Sequence, residues 1–566
     1  MINFLSLALI CSIAFGCARE AADKIFINAV IYTMNSQNEI ANSIAVKDEK
    51  ILYIGNEEDA YNYSGDKTEI IDLQGETVVP GFTDAHTHIA QMGKFIQSLN
   101  LTGTKSAQVI ADNIRYYAST IPPGELIEGL GWDQNDWEVK KFPTFQILTD
   151  AAPDNPVILL RIGRSTIWVN KKTLELAGIT AETPDPEGGQ ILRIPGSNEP
   201  SGLLRNNAMS LVNDVRQAPS KDLKKRRIVE TLSYALKLGI TTLHDTGSDS
   251  DHLEIYKELA AEGKLVPRVY AMIQDEEILK EKYFKLGPQI GLYDDYLNIR
   301  TMKFLFDGTL GSRGAALLEP YSDDPGNSGM LSMPEDELRS KITNAANHGF
   351  QVSAHAIGDR SGRLILDIYE QLTNGRENRH RIEHSQTLSL DDIPRFKKLG
   401  VIPSMQPTHQ SSDMYWVEDR LGSERLKGAY AWRKLIDAGV VIAGGSDAPV
   451  ESLNPLWGIY AAVTRQDHKG FPENGWYPEE RMTMEEAVKM FTSWAAYASF
   501  EEDLKGTLET GKLADFTVLS EDIFIIEPPA LLKTRVLMTV IGGNITHDNF
   551  RRAVAMGSGS LLTGNP

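Results

Sequence analysis

The chain has 566 residues, 42% of them hydrophobic and 24% charged, too long for one small core and composed like an ordinary globular enzyme. A formal net charge of −20 repels phosphate backbones and anionic bilayers, which excludes both as electrostatic partners. No fixed-period repeat is evident.

In chain order, the first segment is "MINFLSLALICSIAFGC", short, apolar and ending in small residues. It is too short to span a bilayer and has the form of an export signal. "AFGC" resembles a bacterial lipobox, so residues 1–16 are expected to be a signal peptide and Cys17 the acylated mature N-terminus. The chain is then an exported lipoprotein facing the periplasm or exterior, touching membrane only through that anchor. A plain cleaved signal, giving a soluble secreted or periplasmic protein, is the alternative. Cys11 and Cys17 are the two cysteines of the chain, which removes disulfides and thiol ligands from the mature protein.

Next come "KIFINAVIYTMN", "SIAVKDEKILYIG" and "EIIDLQGETVVPG", which alternate apolar and polar residues between Asn, Gly and Asp turns and read as antiparallel strands. The far end, with "KLADFTVLS" and "VLMTVIGGNITH", behaves likewise. Residues 22–78 and 501–550 are therefore expected to form one small β-sandwich domain.

Between them, residues 79–500 alternate apolar strands with amphipathic helices, the pattern of a parallel α/β structure. Eight strands can be placed: "GFTDAHTH", "GITTLHD", "PRVYAMI", "RTMKFLFDG", "GFQVSAHAIGD", "RHRIEHSQ", "GVIPSMQP" and "GVVIAGGSDAP". Eight such units predict a TIM (β/α)8 barrel. After the first strand the rhythm breaks, and residues 90–230 read as an insertion rich in Trp, Pro and Gly. It emerges at the face where barrel active sites lie, so it is read as a lid or substrate-shaping subdomain, with a purely structural extension as the alternative.

"VVPGFTDAHTH" holds His86 and His88 with one residue between them. On a strand, residues i and i+2 share a face and can approach one ion together. Eleven histidines in 566 residues give about 0.2 such pairs by chance, so the pair alone decides little. Further candidates recur at strand ends: Lys303 on the fourth strand, His355 on the fifth, His384 on the sixth and Asp447 on the eighth. Catalytic groups drawn from several strand ends are what such a barrel uses.

With the motifs "GWDQNDW", "KFLFDGTLGSRGAALLEPYSD", "HAIGDR", "RIEHSQ", "SMQPTHQSSDM" and "GGSDAPVESLNPLWGIYAAVTR", the chain resembles the amidohydrolase superfamily, in its YtcJ-like branch (amidohydrolase family 3) that includes N-substituted formamide deformylase. The resemblance implies that His86, His88 and Asp447 hold one divalent ion and His355 and His384 a second, zinc being the metal expected. Lys303, carboxylated on its amine, would bridge them; a single metal with Lys303 as an ordinary lysine is the alternative. It further implies hydrolysis of a non-peptide C–N bond (amide, formamide or N-acyl) by metal-activated hydroxide, with Asp447 as general base and acid. Trp132, Arg164, Asp307, Arg313 and His409 stand in family-like motifs as candidates for substrate contact. Arg164 occupies a place where the family often has His and would favour an anionic group. Glu383 and Asp359 could fix metal-binding imidazoles, and His244 and Asp245 are balanced between structural and functional roles.

Two other function classes stay open: ester, lactone, lyase or isomerase chemistry on the same metals, and a non-catalytic ligand-binding surface lipoprotein. A small molecule is the expected partner, and a homodimer is not excluded.

Overall fold

In the computed structural model, residues 20–162, 165–216, 219–372 and 376–550 are described. The chain divides into two compact units. One comprises the stretch up to Thr87, residues 234–249 and everything from Leu259 onward; the other comprises residues 88–233 and 250–258.

The larger unit contains the barrel. Its strands are β1 (Phe82–Thr87), β2 (Ile240–Ser248), β3 (Arg268–Gln274), β4 (Leu297–Leu305), β5 (Gln351–Ala356), β6 (Arg381–His384), β7 (Ile402–Met405) and β8 (Ala443–Gly444). All eight overlap the segments placed from the sequence; β2 and β3 run past theirs at the C-terminal end, to Ser248 and Gln274, and β4 begins earlier, at Leu297. They pair in parallel in strict chain order, β1 to β8. A parallel bridge between Thr87 and Ala448 brings the end of β8 back beside β1, leaving a nearly closed eight-stranded barrel. The wall is completely buried along β1, β6 and β7, because helices cover its outer face and side chains fill its interior. The helix Asp359–Glu370 shows the outer layer's logic: Leu364, Ile365 and Ile368 recur at helical spacing and are buried.

β8 is much shorter than the run "GVVIAGGSDAP" suggests. Just after it, at Gly445, an added Cβ would stand 2.5 Å from the backbone N of His86 and 2.9 Å from Asp84 Oδ1. Chain closure at this point is a contact of bare backbone, which only glycine permits. Gly81, at the entrance to β1, is also tightly placed, its Cβ site lying 2.3 Å from side-chain atoms of Thr241.

Strands from the two ends of the chain share a six-stranded sheet in the order Asn544–Asp548, Val536–Ile541, Phe516–Leu519, Thr77–Pro80, Val30–Tyr32, Ile40–Ala41. A four-stranded sheet, Lys50–Gly55, Ser43–Lys47, Lys24–Ile27, Glu69–Asp72, contributes to the same apolar cluster, with Phe26 edge-on to Phe516 at 4.9 Å. Two long sequence runs are divided here. "KIFINAVIY" breaks at Asn28 (φ 55°), so its halves join different sheets. "VLMTVIGGNITH" turns back on itself at Gly542 and Gly543, both at positive φ, and forms a hairpin.

The smaller unit has its own six-stranded sheet, Gly189–Arg193, Pro200–Asn206, Thr166–Val169, Val157–Arg161, Ile127–Trp132, Leu99–Asn100. Helix Ala107–Ala118 begins where Ser106 accepts from the Val109 N–H and buries Ile110, Ala111 and Ile114. Its core gathers Trp132, Trp137 and Trp168.

Candidate metal centre

Alternation on β1 puts Asp84 and His86 on one side of the strand, and His88 follows just past its end, as the cap of the helix Ile89–Gln97. Asp84 is buried and works on backbone: its Oδ1 accepts from the N–H of His86 (3.0 Å) and of Ser446 (3.1 Å), clamping β1 to the segment after β8. The Asp447 N–H donates to the His86 carbonyl at 2.7 Å in the same seam. Burial raises the Asp84 carboxyl to about 6.

His86 Nδ1 donates to Glu383 Oε2 at 2.6 Å. Glu383 is fully buried and held from three sides, by Arg381 Nε on Oε1 (2.7 Å), Arg381 Nη2 on Oε2 (3.1 Å) and Ser353 Oγ on Oε1 (2.8 Å). Burial pushes its pKa up, but Arg381 and His86 outweigh this and hold the carboxyl well below its ordinary range. Arg381 is also buried, and donates to the Ala85 carbonyl, to Ser404 Oγ and to His244 Nδ1. Register explains the meeting: Ser353 stands opposite Arg381 on β5 and β6, and Glu383 opposite Ser404 on β6 and β7.

With Nδ1 committed to a carboxylate, His86 turns Nε2 toward Asp447, 3.4 Å from Oδ1; burial and Lys303 pull the ring's pKa down, but Asp447 and Glu383 outweigh them and raise it. His384 is prepared in the same way, Nδ1 donating to Gln406 Oε1 at 2.8 Å. Burial, then His355, holds the His384 ring well below its ordinary pKa; burial and Lys303 lower His355 to about 3. Both rings are neutral at pH 7, the form that binds metal. The His384 ring centroid lies 4.6 Å from that of His86 and 4.5 Å from that of His355.

Ligand-capable atoms of His86, His88 and Asp447 all lie within 4.8 Å of one another, and so do those of His384, His409 and Asp447. Lys303 Nζ and His355 Nε2 are buried with no hydrogen-bond partner among the described residues. Burial lowers Lys303 to about 8, the opposing pull of Glu383 and Asp447 being smaller. Neutral imidazoles, a carboxylate and two buried nitrogens without partners, gathered at one barrel end, are a donor set that fits a divalent ion. Two of the residues have strained backbones, His384 at φ 73° and Asp447 at φ 58°, a conformation that non-glycine residues adopt where the surroundings enforce it.

The remaining predicted residues divide. His409 joins the centre, 3.6 Å from Asp447 Oδ2. Asp307 accepts from the N–H groups of Ala316, Ile357 and Gly358 and from Ser361 Oγ, so it organises the loops beside His355. Arg313 is a forked partner of Asp323. Trp132 corrects the expectation of substrate contact: it is 0% exposed, its indole N–H donates to the Leu159 carbonyl, and it packs on Trp137 and Trp168. A large ring filling a core has no free face for a ligand. Arg164 and Cys17 lie outside the described residues. Asp359 accepts from the Leu318 N–H, and Asp245 from Ser248 Oγ.

Sequence reasoning passed over Arg381, Gln406, Gln386 and Asp84. The i, i+2 spacing of "RIEH" puts Arg381 on the Glu383 face, and that of "DAH" puts Asp84 on the His86 face, so two of the four carried a readable signal.

A parallel barrel with an imidazole–carboxylate cluster at the strand ends defines a hydrolase of the amidohydrolase kind. Comparison with known proteins makes this specific, and the chain belongs to the amidohydrolase family, whose model matches residues 69–547. It is 34% identical to YtcJ of Bacillus subtilis over 532 residues, 92% of this chain and 98% of that protein. Similarity to the N-substituted formamide deformylase of Arthrobacter pascens is 25% over 544 residues, covering 94% and 99% of the two chains. Among solved structures, an uncharacterized metal-dependent hydrolase from Pyrococcus furiosus superposes with a TM-score of 0.73 at 30% identity, covering 88% of this chain and 99% of that one.

Proposed function

We propose that the chain is a metal-dependent hydrolase of a non-peptide C–N bond in a small amide, formamide or N-acyl compound. The observation that carries this is the pair of imidazoles, His86 and His384, whose Nδ1 atoms are tied to acceptors so that both Nε2 atoms are directed to the space beside Asp447. His86, His88 and Asp447 would hold one ion and His355 and His384 another, zinc being the best match to the donors, with Lys303 as a carboxylated bridge. A bound divalent ion supplies Lewis acidity and a nucleophilic water at neutral pH. Asp447 accepts the proton of the attacking water and returns it to the leaving nitrogen. Glu383 and Gln406 keep the two rings in register throughout, and the likeness to formamide deformylase favours C–N over ester chemistry.

The same proposal takes the two chain-end sheets as a β-sandwich and residues 90–230 as a substrate-shaping subdomain. It also takes Cys17 as an acylated anchor of an exported protein. No helix among the described residues is long and apolar enough to cross a membrane. Detergent partitioning that is identical for wild type and Cys17→Ala would remove the anchor.

The test of the activity is a panel of formamides, anilides, N-acyl amino acids and esters offered to zinc- and manganese-loaded protein, with Asp447→Asn as control. Turnover of a C–N substrate that Asp447→Asn lacks is the expected result; turnover confined to esters would overturn it.

A further inference from the structure

His384, at the end of β6, and His409, in the helix Pro407–Asp413 that follows β7, stand near one another, rings 5.9 Å apart and inclined by only 21°. Both reach toward Asp447. Their far nitrogens, however, are held by opposite chemistry.

His384 Nδ1 faces the Gln406 amide oxygen at 2.8 Å, and that amide is oriented because its Nε2 donates to the Ser404 carbonyl at 3.2 Å. The hydrogen on His384 is therefore on Nδ1 and the lone pair on Nε2. His409 is the reverse: its Nδ1 receives the Gln386 amide Nε2 at 2.9 Å. A nitrogen that accepts carries the lone pair, so the ring hydrogen is on Nε2. That Nε2 belongs to a side chain 9% exposed and has no hydrogen-bond partner among the described residues. It stands 3.6 Å from Asp447 Oδ2, beyond hydrogen-bond reach. Turning His409 into a ligand requires the hydrogen to move to Nδ1 and the Gln386 amide to turn over so that its oxygen faces the ring.

We infer that His409 is the site's hydrogen-bond donor to the oxygen of the scissile group, its tautomer set by Gln386, and not a metal ligand. The inference rests on the hydrolytic reading above and assigns that reaction a further residue. As the carbonyl carbon is attacked, its oxygen gains negative charge, and a fixed N–H in a buried site strengthens its bond to that oxygen as the charge grows. The carboxylate of Asp447 lies alongside, so proton acceptor and oxygen-binding donor flank one position.

The test compares full-length wild type with His384→Ala, His409→Ala, His409→Gln and Gln386→Glu, each loaded with zinc. Elemental analysis is expected to show metal lost from His384→Ala and wild-type stoichiometry in His409→Ala. On a cleaved anilide or formamide, kcat of His409→Ala is expected to fall by roughly 10²- to 10³-fold with KM little changed. His409→Gln, which offers an amide N–H near the same point, recovers part of the loss. Gln386→Glu accepts from Nδ1, flips the tautomer and loses rate although the imidazole remains. Loss of metal from His409→Ala, or an unchanged kcat, overturns the assignment. Should wild type cleave nothing in the panel, the hydrolytic reading fails separately. Nitrogen-15 histidine spectra still decide the tautomer: hydrogen on His409 Nε2 in wild type and on Nδ1 in Gln386→Glu supports the assignment, and hydrogen on Nδ1 in wild type overturns it.

Discussion

Glu383 accepts the Nδ1 proton of His86 at 2.6 Å from a position with no solvent exposure. The contact joins β6 to β1 across the barrel interior and fixes which nitrogen of His86 faces Asp447. A carboxylate behind an imidazole also raises its basicity as a ligand. In Glu383→Gln, zinc affinity is expected to drop by roughly 10- to 100-fold while the fold is retained, as measured by competition with a chelator. Unchanged affinity would leave Glu383 with a packing role alone.

Arg381 neutralises Glu383 inside the barrel, both side chains being 0% exposed. Removing one member of such a pair leaves an uncompensated buried charge, which costs on the order of 3–5 kcal/mol. Arg381→Met should lower unfolding stability by that amount in urea titrations of the metal-free protein. The double variant Arg381→Met/Glu383→Leu should recover much of it, because the orphaned charge is gone. A double variant less stable than the single one would contradict this account.

Gly445 is expected to tolerate no side chain. A Cβ 2.5 Å from the His86 backbone N must displace β1 or the β8 end, at a cost of roughly 1–3 kcal/mol. Gly445→Ala should therefore both melt earlier and bind zinc more weakly, since the displaced strand carries His86. Calorimetry and elemental analysis read the two effects, and a variant that melts with wild type would show the seam to be looser than described.

Lys303 gives the metal-free protein a pH dependence. Its amine is lowered to about 8 by burial, while the unfolded chain keeps the ordinary value near 10.5. Between those values the unfolded state binds more protons, so stability rises as pH is raised through that window. Below pH 8 the full cost of burying the cation is present. The gain from this one group is about 3 kcal/mol across the window. Urea titrations at pH 7 and 9.5 in CO2-depleted buffer should show about 2 kcal/mol of it in wild type and none in Lys303→Met. Because carboxylation needs the neutral amine, zinc loading of wild type should also improve with bicarbonate as pH rises toward 8.

Asp447 is held at φ 58° with its N–H on the His86 carbonyl. Asp447→Asn keeps the shape and removes the proton acceptor. Turnover of any substrate that wild type cleaves should fall by about 10²- to 10⁴-fold, read from initial rates. A variant retaining a tenth of wild-type rate would take Asp447 out of the proton-transfer role.

Periodicity alone located the eight barrel strands, because strand length, alternation and the helices between them are local properties of the chain. The spacing of His86, His88, Lys303, His355, His384 and Asp447 along those strands was equally legible, since parallel order brings successive strand ends to one face. Trp132 was misread because a tryptophan in a Trp-rich motif looks the same whether it meets a ligand or fills a core; only neighbours such as Trp137 and Trp168 decide that. The tautomers of His384 and His409 were likewise invisible in the text. They depend on whether an amide oxygen from Gln406 or an amide nitrogen from Gln386 faces the ring, a choice made by hydrogen bonds between segments distant in sequence. Local pattern determined the barrel strands and put the candidate residues at their ends, whereas tertiary contacts decided which side-chain groups face each ring nitrogen.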